Sequence, residues 1–325
     1  MKKILKYTGL GLIIIIIILL GLGIYVKTML PNVGEATDLK IEITSDKIDR
    51  GRYLANHVMV CIDCHSTRDW TYFSGPVVPG TEGKGGEIFD QTQGFPGKYI
   101  APNITPFHLK NWTDGEIFRA ITTGVSKDGR AIFSIMPHHL YGQLDPMDIE
   151  SVIAYLRSLK SVNNETGVSV SDFPMNFIIN TIPQKPSFSK IPEQRDKINY
   201  GKYLITAAGC IDCHTKQDKG RFVGEPFAGG FEFRNNDGSI VRSPNLTPDK
   251  STGLGAWTSD EFVNRFKIYS DSSYAVQKSN MKEYQTVMPW TRYAGMTATD
   301  LEAIFIYLQS LPPVKNQIET FVAAK

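Results

Sequence analysis

Cysteine is scarce: the 325 residues hold four, all within two identical pentapeptides, CIDCH at 61–65 and again at 210–214. No thiol is left over for a bridge elsewhere, for a nucleophile, or for a thiolate ligand to a metal. Histidine is nearly as sparse, with six in all; none stands between His65 and His108, and His214 is alone in the second half of the chain. An excess of charge of one sign is missing too. With 35 basic and 33 acidic residues the formal net charge is +2, which leaves no dominant electrostatic footprint for nucleic acid. Strong charge steering of a partner is not expected either.

What is present begins at the N-terminus. Lys2, Lys3 and Lys6 precede an uncharged run over residues 7–26 that includes six consecutive isoleucines at 13–18. If helical, such a run spans about 30 Å, the thickness of a bilayer core. Three lysines before it against Lys27 alone just after it predict an N-terminus in the cytoplasm and the remaining chain outside. A cleaved signal peptide is the alternative, but the run exceeds a typical signal core and Leu30-Pro31-Asn32 is not an A-x-A site. We therefore expect an uncleaved anchor over residues 1–30 and a stalk over 31–44.

The rest is one unit written twice. GRYLANHVMVCIDCHS from Gly51 matches GKYLITAAGCIDCHT from Gly201. Downstream, GGEIF at 85 answers GGFEF at 229, PNITP at 102 answers PNLTP at 244, and NWTDGEIF at 111 answers AWTSDEFV at 256. The last pair is MPHHLYGQLDPMDIESVIAYLRSL from Met136 and MPWTRYAGMTATDLEAIFIYLQSL from Met288. Both final segments place apolar residues at i, i+3, i+4, i+7 and i+10: Ile149, Val152, Ile153, Leu156 and Leu159, then Leu301, Ile304, Phe305, Leu308 and Leu311. That is one face of a helix. Asp145 and Thr297 are N-cap types with Asp148 and Asp300 three residues later, and Thr113 with Glu116 and Thr258 with Glu261 predict two capping boxes. The expected class is all-α, with units over 45–160 and 195–325 joined by a packed connector over 161–194.

On a helix, Cys61, Cys64 and His65 stand at i, i+3 and i+4, so two thiols and an imidazole leave one face; Cys210, Cys213 and His214 repeat this. The pattern C-x-x-C-H is a c-type haem attachment site: the thiols add across porphyrin vinyl groups and the imidazole binds iron. A disulfide within C-x-x-C, or a zinc site, is the other reading, but zinc wants four ligands and the second unit has one histidine. Two covalently bound haem c groups are therefore expected.

The second axial ligand decides use, since methionine opposite histidine raises the potential whereas an open position allows ligand chemistry. Met136 lies 71 residues after His65, and Met288 lies 74 after His214, each followed by proline and then by the final helix. These are the expected ligands, with His65 and His214, to the two irons. His138 and His139 compete near Met136, but Trp290 and Thr291 stand in their places, so surface positions beside the crevice are expected for both histidines. Met59, Met147, Met281 and Met296 lack the shared pattern, and His57 and His108 have no counterpart. The PNITP and PNLTP turns either shape a loop or bond the imidazole or a propionate, and Trp112 and Trp257 read as core or haem-wall aromatics.

The order Gly-x-Tyr-Leu, C-x-x-C-H, loop, Met-Pro, then a helix with Tyr-Leu-x-x-Leu resembles the class I cytochrome c fold, here in tandem after a transmembrane helix. The resemblance implies a crossing of first and last helices at Gly51 with Tyr155 and at Gly201 with Tyr307. More narrowly, CIDCHT, FAGGFEF, SPNLTPDKSTGLGAW and MPW are similar to the multihaem cytochrome c subunits of membrane-bound bacterial alcohol and aldehyde dehydrogenases. Those subunits usually carry three haems, and the first unit here has FHLKNW in place of DKSTGLGAW. The resemblance implies an extracytoplasmic, membrane-anchored electron carrier between a dehydrogenase and a respiratory acceptor such as a terminal oxidase or another cytochrome. A dihaem peroxidase-like enzyme with one reactive iron is the alternative reading.

Overall fold

The computed structural model describes residues 2–235, 237–270 and 285–324; Met281 lies outside them. Helix α1, Lys2–Met29, is long and apolar enough to cross a membrane, with none of its apolar stretch buried in the protein. The Thr8 and Thr28 hydroxyls donate back to the Ile4 and Ile24 carbonyls, so neither interrupts the apolar surface.

Each unit is built on a crossing of its first and last helices. In the first unit α2, Ser45–Tyr53, packs on α5, Pro146–Ser158, and in the second α6, Lys197–Ala207, packs on α9, Ala298–Gln309. Between them lie the one-turn helices α3, Cys61–Cys64, and α7, Cys210–Cys213, and the capped helices α4, Asp114–Thr123, and α8, Ser259–Lys267. The expected apolar faces are inside: Ile149, Val152 and Ile153 are fully buried, as are Leu301 and Leu308. Both predicted capping boxes form. At the crossings Gly51 and Gly201 lie so close to the partner helix that an added Cβ would stand 1.8 Å from the Ser151 carbonyl oxygen and 2.0 Å from that of Ala303. Only glycine permits backbones to meet at that distance.

One difference between the units follows from a single residue. Ten residues separate Gly51 from Cys61 but nine separate Gly201 from Cys210, and the surplus is absorbed as a π-turn over Leu54–Val58, closed by the Met59 N–H donating to the Leu54 carbonyl at 2.8 Å. The chain therefore reaches both CIDC turns in the same left-handed conformation, at Val60 (φ 48°) and Gly209 (φ 67°).

The architecture departs from all-α. Short antiparallel strands form two three-stranded sheets, one with Gly97–Ile100 between Ile88–Phe89 and Val170–Ser171, the other with Ile240–Arg242 between Glu232–Arg234 and Phe321–Val322. Residues 161–171 thus add to the first unit as the C-terminal tail adds to the second. The Asn103 side chain donates to the Val162 carbonyl at 2.9 Å, and that of Asn245 to the Val314 carbonyl at 2.7 Å. The signal was present as Ser-Leu-x-x-Val-x-Asn at both 158 and 310. Farther along, the short helix Met175–Ile178 lies against the base of α1, with the Lys27 ammonium 5.5 Å from the Phe177 ring centre.

The two units also exchange side chains reciprocally. The Tyr53 hydroxyl donates to Asp300 at 2.5 Å and accepts from the Thr297 N–H at 3.1 Å. The equivalent Tyr203 hydroxyl donates to Asp148 at 2.7 Å and accepts from the Asp145 N–H at 3.1 Å. Each tyrosine thus stands between the N-cap N–H and the N3 carboxylate of the other unit's final helix. A direct capping box would join those two groups without it.

Candidate functional site

Each CIDC turn projects its thiols from a single helical turn whose closing residue is the histidine: the His65 N–H donates to the Cys61 carbonyl at 3.0 Å and that of His214 to Cys210 at 2.8 Å. All four thiols are free. Among the described residues no cluster of three or more His, Cys, Asp and Glu side chains is arranged to hold a metal, so nothing completes a zinc site.

The imidazoles are oriented by the Pro-Asn turns. His65 Nδ1 lies 2.8 Å from the Pro102 carbonyl oxygen, and His214 Nδ1 lies 3.0 Å from that of Pro244. A carbonyl only accepts, so Nδ1 carries the proton and Nε2 keeps its lone pair for a metal. Burial pushes both imidazoles down in pKa, against the opposing pull of the proline carbonyl, so each is neutral as a ligand must be. The asparagine next in sequence shapes the turn: Asn103 Oδ1 accepts from the Thr105 N–H and hydroxyl, and Asn245 Oδ1 from those of Thr247. Loop shaping and imidazole bonding are thus done together by adjacent residues.

The repeated Gly-Gly block lies beneath. Gly85 and Gly229, both at positive φ, donate their N–H groups to the His65 and His214 carbonyls at 2.9 Å each. A Cβ would strike the Pro102 and Pro244 carbonyl carbons at 2.5 and 2.6 Å, so these glycines let the turn approach its histidine.

Met136 and Met288 pack at the edge of the apolar core, as Cys61 and Cys210 do. Of the other methionines, Met59 and Met296 are buried in that core and Met147 is exposed. The two tryptophans part company: Trp112 packs on the core, whereas Trp257 is exposed. His108 lies against Trp112, with ring centres 6.1 Å apart.

His138 is a correction. It is fully buried, not a surface residue, and its ring occupies the space left by Gly124, where a Cβ would come within 2.5 Å of it. Burial takes its pKa down to about 4. Sequence spacing located it beside Met136 but carried no sign that the glycine ending α4 would make room for the ring. His139 is half-exposed and reaches across to Asp212 of the second unit, Nε2 to Oδ1 at 3.2 Å.

The repeated aspartate inside CIDCH therefore has work at the contact between units. Asp212 meets His139, and Asp63 pairs with Arg68 at 3.1 Å and lies 4.0 Å from Arg292 of the second unit. Tyr141 and Tyr293 buttress the turns in matching fashion, donating to the Met59 carbonyl at 3.1 Å and the Ala208 carbonyl at 2.8 Å.

His57 belongs to the same contact, its Nδ1 3.0 Å from the Arg292 carbonyl. Burial lowers its pKa; the carbonyl bond opposes this, and the Arg292 and Lys267 charges add to the lowering. The unfolded chain, titrating near pH 6.5, takes the proton first, so this stability is present above about pH 6.5 and lost as pH falls towards the folded pKa. The denaturation midpoint should drop between pH 7.5 and 5.5, and His57→Asn should shrink that drop. Equal drops in both proteins would refute the assignment.

Comparison with known proteins bears on the second unit first: the sequence model of the cytochrome c family matches residues 198–312. The chain is 27% identical over 287 residues to the cytochrome c subunit of a quinone alcohol dehydrogenase of Gluconacetobacter polyoxogenes, covering 82% of this chain and 56% of that one. It is 26% identical over 279 residues to the fructose dehydrogenase cytochrome subunit of Gluconobacter japonicus, covering 82% and 52%. A diheme cytochrome c-type protein of Cereibacter sphaeroides is 28% identical over 116 residues, 35% of this chain and 36% of its own length. The chain spans about half the length of the two dehydrogenase subunits. With two free thiols, a neutral imidazole offering Nε2 and a matching family model in one place, residues 198–312 form a cytochrome c domain, which implies covalently bound haem c.

Proposed function

We propose that the chain is a membrane-anchored dihaem cytochrome c that relays single electrons from a dehydrogenase to a respiratory acceptor such as a terminal oxidase or another cytochrome. The carrying observation is the duplication of the site: His65 and His214 are each fixed through Nδ1 by a proline carbonyl, beside a free thiol pair. Cytochrome domains over 45–160 and 195–325 would hold one group each. Cys61, Cys64, Cys210 and Cys213 would supply the thioether links; His65 and Met136 would hold one iron, and His214 and Met288 the other. A bound haem contributes the one-electron couple, and the protein contributes orientation, axial ligation and exclusion of water.

The relatives' names support a dehydrogenase as donor, since the alcohol and fructose dehydrogenase relatives described above are cytochrome subunits of such enzymes. Helix α1 supports the anchor, and the lysine bias supports a cytoplasmic N-terminus with both domains on the extracytoplasmic face. With a histidine and a methionine both holding each iron, no position would be left for a peroxide or other small substrate.

Absorption and electron paramagnetic resonance of the ferric protein test the reading. Two low-spin signals, with a methionine-to-iron charge-transfer band, are expected. Met288→Ala should remove about half of that band and open one of the two sites to carbon monoxide in the reduced state. A high-spin signal from the wild-type protein would overturn the carrier reading.

A further inference from the structure

The segment holding Met288 is gripped by the first unit. Ser74, in the loop after the first CIDCH, is 1% exposed, and its hydroxyl donates to the Met288 carbonyl at 2.5 Å while accepting the Trp290 N–H at 3.1 Å. Gln285 makes a second grip. Its side-chain oxygen accepts the Ser74 N–H at 2.8 Å, and its amide donates to the Tyr72 and Trp70 carbonyls at 2.9 and 3.2 Å. Met288 is thus bracketed on both sides by bonds to one loop of the other unit.

That loop is built for the task. The Arg68 guanidinium donates to the Gly75 and Ser74 carbonyls at 2.8 and 2.7 Å, pairs with buried Asp63, and lies 4.0 Å from the Trp70 ring centre. Ser74 is held at φ 65°, a region that residues other than glycine seldom occupy. The second unit has no counterpart, since a hairpin of Gln217–Asp218 and Arg221–Phe222 follows its CIDCH. The arrangement is therefore one-sided. Among the described residues the Met136 carbonyl receives the His138 N–H at 2.7 Å but no side chain from the second unit.

We propose that Ser74, with Gln285, is a positioning residue for the Met288 ligand, so that methionine ligation in the second domain depends on the loop of the first. This rests on Met288 being the axial ligand. Without the hydroxyl, the Met288 carbonyl and Trp290 N–H lose their partner in a buried place, and the segment carrying the thioether moves away from the iron more often.

The test is imidazole capture by the ferric full-length protein, followed as loss of the methionine band, because imidazole enters only when methionine leaves. Ser74→Gly removes the hydroxyl yet suits φ 65°, so the loop fold survives; Gln285→Ala removes the other grip. Each should speed capture at the second site about tenfold, with the first site unchanged as internal control. The Met288→Ala protein identifies the second site's phase by its absence. If Met288→Ala leaves the band whole, the ligand reading falls and the proposal with it. If it halves the band but Ser74→Gly leaves the second phase at its wild-type rate, or speeds both phases alike, the ligand reading stands and the positioning role alone falls.

Discussion

Gly201→Val is expected to destabilise the second unit by on the order of 4 kcal/mol and to leave little protein carrying covalent haem there. Even the first carbon of the new side chain would stand 2.0 Å from the Ala303 carbonyl oxygen and 3.0 Å from the Tyr307 Cβ. Neither is the free end of a flexible chain. The helices can respond only by separating, which strips contacts from Leu204, Leu301 and Leu308, all essentially inaccessible to solvent. Lys202→Val, at the exposed neighbouring position, serves as control and should change stability by less than about 0.5 kcal/mol. Thermal unfolding with haem staining of the denatured chain reads both effects. A melting temperature for Gly201→Val within a few degrees of wild type would show that the crossing tolerates separation.

Asp148→Ala is expected to cost about 3 kcal/mol and to weaken the contact between the units. The carboxylate takes two bonds from Arg50, from Nε and Nη2 at 2.8 Å each, and a third from Tyr203 of the other unit at 2.7 Å. Removing it leaves a guanidinium and a buried hydroxyl without their acceptor, and a partner left behind costs more than the pair contributes. Arg50 keeps some access to water, which places the effect at the lower end of the range for buried pairs. Burial, and the Asp148 charge and bond, hold the Tyr203 phenol well above its ordinary pKa, so it is a neutral donor throughout the working range. A double-mutant cycle with Tyr203→Phe, measured by denaturation, should give a coupling of about 1 kcal/mol. Additive losses would mean that the tyrosine does not join the units.

Much of the candidate site was legible because its chemistry needs fixed residue types at fixed local spacing. C-x-x-C-H places three donors on one turn whatever surrounds it. The repeat also singled out Met136 and Met288 as the candidate ligands and picked out the Pro-Asn turns, which the structure sets beside the histidines: Pro102 and Pro244 give the carbonyl, Asn103 and Asn245 the shape. The final helices were equally legible, since a 3.6-residue period with an N-cap is a local property.

What lay beyond the sequence depends on contacts between residues distant along the chain. Asp148 and Asp300 have the spacing of local capping residues, yet they receive tyrosines from the opposite unit, 55 and 247 residues away. His138 and His139 are neighbours with the same chemistry; one is sealed against Gly124 and the other crosses to Asp212. No local pattern distinguishes them, because burial is decided by what packs on top. The sequence by itself determined the spacing of the thiols and imidazole, the internal repeat and the helical frame, because each is a pattern written locally along the chain. The tertiary structure alone decided that the two units lean on each other through Tyr53, Tyr203 and Ser74, since an acceptor supplied by another unit exists only once both have folded.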